Sequence, residues 1–314
     1  MRKSEDLLRR IHASGTSYVR GTAALKTAAA ANMLPLFSLP VHGQDPFDKS
    51  FERKKNMTKK ALLAVSFGTT YEETRKLTID AFEEDLKKAF PDRDLFRAWT
   101  SGVVRRILRE RDGINIGSVT DEMEHMLSHG ITDVLVQPSH ILTGEEFDKI
   151  KGAVLEYGDK FEKISVGAPL IASEADSVKM AQIIRDIFPL KEDEMLVLMG
   201  HGTKKCDFDA YGVLQKTFND AGCGNICIGT VEFDPGIAPA LEAVRKFRPK
   251  KVFLTPLLVV AGDHATNDMA GDEEDSWKNQ LLREGVEVEC VVNGLGEYEK
   301  VRELYIEHAK EADK

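Results

Sequence analysis

The sequence predicts an α/β protein of two similar doubly wound domains, each with a parallel four-stranded sheet, with an active site in the cleft between them. Three observations predict it. From Lys59 onward, short apolar runs alternate with longer amphipathic segments, as in parallel strands joined by helices. The runs number eight and fall into two sets of four. The sets also match at their ends: the first runs close on Ser66-Phe67-Gly68-Thr69 and Gly200-His201-Gly202-Thr203. The third runs close on Gln137-Pro138 through Gly144 and on Thr255-Pro256 through Gly262, so the second half reads as a repeat of the first.

Residues 1–57 form an N-terminal extension. A basic start (Arg2, Lys3, Arg9, Arg10, Arg20, Lys26) precedes a small-residue and apolar run, Ala28 to Pro40, then Val41-His42-Gly43 and a polar stretch. That order is the order of an export leader ending near residue 43, which predicts a periplasmic protein. Residues 17–25 look like the second half of a twin-arginine signal, although the arginine pair, Arg9-Arg10, lies elsewhere. The apolar run is too short to span a membrane and contains two prolines. The alternative is a cytoplasmic protein that starts at Met57, whose Thr58-Lys59-Lys60-Ala61 would lead directly into the first strand.

Strands are expected at residues 61–67, 95–99, 133–137 and 164–167 in an N-terminal domain, 58–190. In a C-terminal domain, 191–314, they are expected at 195–200, 225–231, 251–255 and 286–292. Residues 71–90 read as a helix with Leu77, Ala81, Leu86 and Phe90 on its apolar face. Another helix runs from about Thr120, as N-cap, to His129, with Gly130 just past its end. Asp275 is the expected N-cap for the helix opening at Ser276-Trp277-Lys278.

Composition narrows the function. A chain of 314 residues with 42% hydrophobic and 30% charged residues is that of a globular protein. The formal net charge of -9 argues against a nucleic-acid partner, and no phosphate-cradling glycine loop follows a strand. The four cysteines, Cys206, Cys223, Cys227 and Cys290, make no CxxC pair, and Cys223 and Cys227 read as packing residues.

In open parallel sheets, ligands bind beyond the carboxyl ends of the strands, where the four matched segments lie. The duplication shows which residues are extra there. His201 stands opposite Phe67, His264 opposite Glu146, and His140 opposite Leu258. Glu232 follows the second strand of the second half. Two imidazoles and a carboxylate suit a divalent first-row ion, whereas an all-oxygen set would suggest Mg²⁺ or Ca²⁺. His140, in the mirror loop, is a second-tier candidate. His125 and His129, four apart on one helix, read as a solvated face.

At these residues the chain resembles the sirohydrochlorin cobaltochelatases of the anaerobic cobalamin (vitamin B12) pathway, class II chelatases related to ferrochelatase. The matching segments are Lys59-Lys-Ala-Leu-Leu-Ala-Val-Ser-Phe-Gly-Thr69, Gln137-Pro-Ser-His-Ile-Leu-Thr-Gly-Glu-Glu146, Met199-Gly-His-Gly-Thr203 and Ala261-Gly-Asp-His-Ala-Thr-Asn-Asp-Met269. Asp275-Ser-Trp-Lys278 matches as well, and the likeness covers roughly residues 58–312. The resemblance implies a chelatase-like fold with the tetrapyrrole in the interdomain cleft. It implies a lyase of porphyrin-type biosynthesis that inserts Co²⁺ into sirohydrochlorin, with Fe²⁺ or Ni²⁺ as other candidate ions. His201, Glu232 and His264 would hold the metal, the two histidines also acting in proton removal. Ser66, Phe67, Gly68, Thr69, Gly202 and Thr203 would bind substrate, with Arg97 and Arg105 as candidate cations for its carboxylates. Exported members of the family are known, one of them a haem-binding oligomer, so haem and a homo-oligomer are further expectations. No integral membrane segment is expected.

Overall fold

In the computed structural model, which describes residues 59–204 and 208–314, all eight apolar runs are strands. The expectations for the N-terminal extension and for Cys206 lie outside the described residues. The first sheet contains β1 (Lys60–Ser66), β2 (Asp94–Trp99), β3 (Asp133–Pro138) and β4 (Lys163–Val166), in the order β2-β1-β3-β4. The second contains β5 (Glu194–Gly200), β6 (Ile226–Thr230), β7 (Lys251–Leu257) and β8 (Glu287–Cys290), in the order β6-β5-β7-β8. Every pairing is parallel. The two orders are equivalent, so the repeat seen in the strand ends is also a repeat of topology.

Between their end residues the central strands β1 and β5 are apolar because both of their faces are buried. Along β1, Leu62 and Ala64 enter one hydrophobic cluster while Ala61, Leu63 and Val65 enter another. Along β5, Leu196 and Leu198 join that first cluster, and Met195, Val197 and Met199 form a third. Each sheet therefore turns one face to a core common to both halves and covers the other with its own helices. The strands divide between sheets near Leu190, but the hydrophobic core does not divide there.

The helices of the shared core are α2 (Ala81–Ala89), α6 (Glu174–Ile187), α7 (Ala210–Asp220) and α10 (Glu299–Ala312). In chain order α1 is Glu72–Arg75, α3 Gly102–Asp112, α4 Val119–Ser128, α5 Glu145–Leu155, α8 Ala238–Phe247 and α9 Trp277–Leu282. The last helix, α10, comes from the second half but packs on β3, β4 and α2 of the first. Its Tyr305 hydroxyl donates to the carbonyl of Ser139 (2.8 Å), and its His308 meets Asp176 of α6 at 3.1 Å. Arg302 pairs with Asp85, and buried Arg93 pairs with Asp133 and with Asp313 at the helix end.

Three local expectations are corrected. Leu77 is 56% exposed, not buried, because a π-helical turn (Lys76–Asp80) interrupts the helix expected at residues 71–90. The extra residue in that turn rotates Thr78 and Ile79 inward instead. The N-cap of α4 is Ser118, not Thr120: its hydroxyl accepts from Asp121 N while the Asp121 carboxylate accepts from Ser118 N. That reciprocal pair satisfies two helix-end donors at once, which a cap two residues later would leave open. Likewise Ser276, not Asp275, caps α9, accepting from Asn279 N at 3.2 Å. Cys227 lies buried in β6, and burial pushes its thiol up to about 11, as befits a packing residue.

Candidate metal and tetrapyrrole site

Register brings the three proposed ligands to one end of the second sheet. Gly200, the last residue of β5, stands beside Thr230 of β6 and Leu257 of β7. The ladder continues past the strands, since Val231 N donates to Gly200 O (2.9 Å) and Glu232 N to His201 O (2.8 Å). His201 and Glu232 are thus joined through their backbones. Gly202 makes this possible: its φ is +89°, and a Cβ there would overlap the Glu232 carbonyl oxygen. His264 opens a π-helical turn (His264–Met269) after β7, and its ring lies 5.2 Å from that of His201, nearly perpendicular to it.

Both imidazoles are oriented through Nδ1. In His201 it donates to the carbonyl of Gly202 at 3.0 Å; in His264 it meets the Asp268 carboxylate at 2.7 Å. In each ring that bond leaves Nε2 as the other nitrogen, the arrangement in which a histidine held by an orienting acceptor can bind a metal. Burial disfavours charge on His264, but the Asp268 hydrogen bond and the charges of Asp268, Glu232 and Asp263 outweigh it and raise its pKa above the ordinary value. Glu232 therefore lies close enough for its charge to be felt at the second histidine. Among the described residues, no group of three or more His, Cys, Asp or Glu stands as a ready-made metal cage. The site offers two imidazoles and a neighbouring carboxylate, donors that suit a first-row divalent ion.

The first half meets this site at the β1 loop. Thr69 Oγ1 lies 3.9 Å from where a Cβ on Gly262 would stand, two residues before His264. In that loop Phe67 is 50% exposed, while Gly68 is buried with a φ of +98° against the Trp99 ring. The side chain of Ser66 is buried, and its hydroxyl accepts from Ser139 Oγ at 2.9 Å. Thr69 is also buried and accepts from Tyr71 N. Thr203 is half-buried beside Gly202. The two candidate arginines are already engaged, Arg97 with Glu83 and Asp80 and Arg105 with Asp121.

His140 lies at the end of β3, and both its ring nitrogens are buried without a hydrogen-bond partner. Burial lowers its pKa to about 4, against a raising influence from Glu146, so its imidazole is neutral at pH 7.

Residues that the sequence left unremarked complete the rim. Asp268 orients His264, and its four-residue spacing from that histidine was a usable signal. Phe233, next to Glu232, is 42% exposed and adopts a left-handed φ of 63°. Such a backbone costs a side-chain-bearing residue about 1–2 kcal/mol. The buried Thr230 hydroxyl holds the turn by donating to Phe233 O (3.1 Å) and accepting from Gly236 N (3.2 Å). Lys204 places its ammonium 5.4 Å from the Phe233 ring centre. No sequence pattern announces that pair, because the two residues lie on different loops.

The cobalt chelatase (CbiK) family matches residues 60–314. The chain is 40% identical over 255 residues to a sirohydrochlorin cobaltochelatase of Salmonella typhimurium, covering 81% of this chain and 96% of that one. It is 32% identical over 259 residues to the sirohydrochlorin cobaltochelatase CbiKC of Nitratidesulfovibrio vulgaris, covering 80% and 90% of the two chains. In fold it is similar to SirB from Bacillus subtilis, with a TM-score of 0.55 at 16% identity over 81% of this chain and 96% of that one.

Proposed function

The chain belongs to the cobalt chelatase (CbiK) family, and from that premise we propose that it inserts Co²⁺ into sirohydrochlorin with His201, Glu232 and His264 handling the ion. The observation that carries the assignment of residues is the pair of imidazoles 5.2 Å apart, each anchored through Nδ1, at the strand ends where Glu232 also emerges. Metal insertion removes two pyrrole protons while the ion trades water and protein ligands for ring nitrogens. Neutral imidazoles ligate the ion through Nε2, and one that releases it becomes a proton acceptor near neutral pH. The Glu232 carboxylate offsets part of the ion's charge and draws protons away from the ring. The ligand set must hold the ion loosely, because an ion in a closed shell does not transfer.

The same donors accept Fe²⁺ and Ni²⁺, so ligand type alone does not select among these ions. The deciding experiment is anaerobic absorbance of sirohydrochlorin with Co²⁺, Fe²⁺ or Ni²⁺, comparing the wild-type protein with His201→Ala and His264→Ala. Metal insertion by the wild type and its loss in both folded variants supports the assignment. Activity near wild type in both variants sinks it.

We read residues 1–43 as an export leader and the protein as periplasmic. A mature N-terminus after residue 43 supports this, and an intact Met1 or a start at Met57 refutes it. The exported branch of the family also suggests a haem-binding homo-oligomer. A Soret band in the purified protein and its mass by light scattering test the two parts separately.

A further inference from the structure

We propose that Lys204, poised over Phe233, is the cation that receives a peripheral carboxylate of the tetrapyrrole, with the Phe233 ring as the apolar face beside it. This deepens the reading above and rests on it. A ring edged with carboxylates, bound by a chain of net charge -9, needs cations placed locally. The two arginines that the sequence singled out, Arg97 and Arg105, do not supply them. Arg97 is paired with Asp80 and Glu83, Arg105 with Asp121, and Arg111 with Asp112.

Lys204 is different. It is exposed, three residues after His201, and among the described residues it has no carboxylate partner. Its ammonium is held instead against an aromatic ring, which positions the cation without neutralising it. A compact ammonium on a flexible stem suits a carboxylate whose exact position varies around the ring edge.

Phe233 has its own unexplained features. A bulky aromatic side chain is left 42% exposed on a left-handed backbone, in a turn locked by the Thr230 hydroxyl. Neither burial nor backbone preference puts it there, and outliers of this kind gather at ligand sites. It follows Glu232 directly, as Lys204 follows the His201 turn, so cation and ring flank the metal-handling residues on adjacent loops. Flat aromatic surface beside a metal site is what a conjugated macrocycle can stack on.

The test is binding of metal-free sirohydrochlorin, followed by its fluorescence, together with anaerobic turnover, for the wild type, Lys204→Glu, Lys204→Arg and Phe233→Leu. Reversing one charge near a carboxylate should weaken ring binding and raise KM about ten-fold, with kcat within about two-fold. Lys204→Arg should restore binding, Phe233→Leu should weaken it about three-fold, and the charge effect should shrink at about 0.5 M salt. Ring binding by Lys204→Glu equal to the wild type at low salt overturns the proposal, as does Lys204→Arg binding as weakly as Lys204→Glu. Failure of the wild type to turn over sirohydrochlorin sinks the activity instead, and the binding curves still decide Lys204.

Discussion

Replacing Gly202 by alanine perturbs the joint between His201 and Glu232 without touching either side chain. The glycine has a φ of +89°, and an added Cβ would overlap the carbonyl oxygen of Glu232, which is backbone and cannot swing aside. The left-handed backbone alone costs about 1–2 kcal/mol once a Cβ is present. Relieving the overlap means separating the His201 and Glu232 loops, which breaks the 2.8 Å bond from Glu232 N to His201 O, worth about 1 kcal/mol. The sum is about 2–3 kcal/mol, or about 4–12 °C in melting temperature for a chain of this size. Function should suffer more than stability, since a shift of about 1 Å in a reacting group costs about 100-fold in rate. The assays are thermal unfolding by circular dichroism and the anaerobic insertion assay. Gly152→Ala is the control: Gly152 sits in α5 with open space where a Cβ would go, so alanine should stabilise the protein by about 0.5–1 kcal/mol. A Gly202→Ala protein with unchanged melting temperature and full activity would refute the reasoning.

Three further outcomes are expected. His201→Ala and His264→Ala should each abolish insertion while leaving the circular dichroism spectrum and melting temperature close to wild type. Asp268→Asn should lower the raised pKa of His264, because it removes the hydrogen-bonded charge that most strongly opposes desolvation. Protons compete with metal for that ring on the acid side, so the acid limb of the pH–rate profile should move to lower pH; an unmoved limb contradicts the role given to Asp268. Asp176 is desolvated, yet bonds from His308, Ser173 and Ala172 N hold its carboxyl below the usual range. The stability it contributes is therefore present above about pH 4 and lost as pH falls through its lower folded value. Asp176→Ala should cost about 3 kcal/mol by leaving His308 buried without its partner, measured by urea unfolding at pH 7.

Much of this molecule was legible in the sequence because its signals are local or repeated. Strands buried on both faces show as continuous apolar runs, and a duplicated unit doubles each signal, so all eight strands and their grouping into fours could be read directly. Histidines at strand ends stand out for the same reason, since the mirror half lacks them at those places. The helix details failed where a local rule met a neighbour: Ser118 could form a reciprocal cap with Asp121, which Thr120 could not.

The tertiary structure decided what depends on separate segments meeting. Arg97 is engaged because Asp80 and Glu83 arrive from the π-helical turn and from α2, and the Ser66 hydroxyl is met by Ser139, which follows β3. That α10 leaves its own half to close the core of the other follows from apolar residues such as Val301, Leu304 and Tyr305, which any buried face would accept. Periodicity says that a helix must be buried but not against what. The meeting of Lys204 with Phe233 is the same case at the site: a 29-residue separation (233 − 204) carries no sequence signal, and only strand register brings the two loops together.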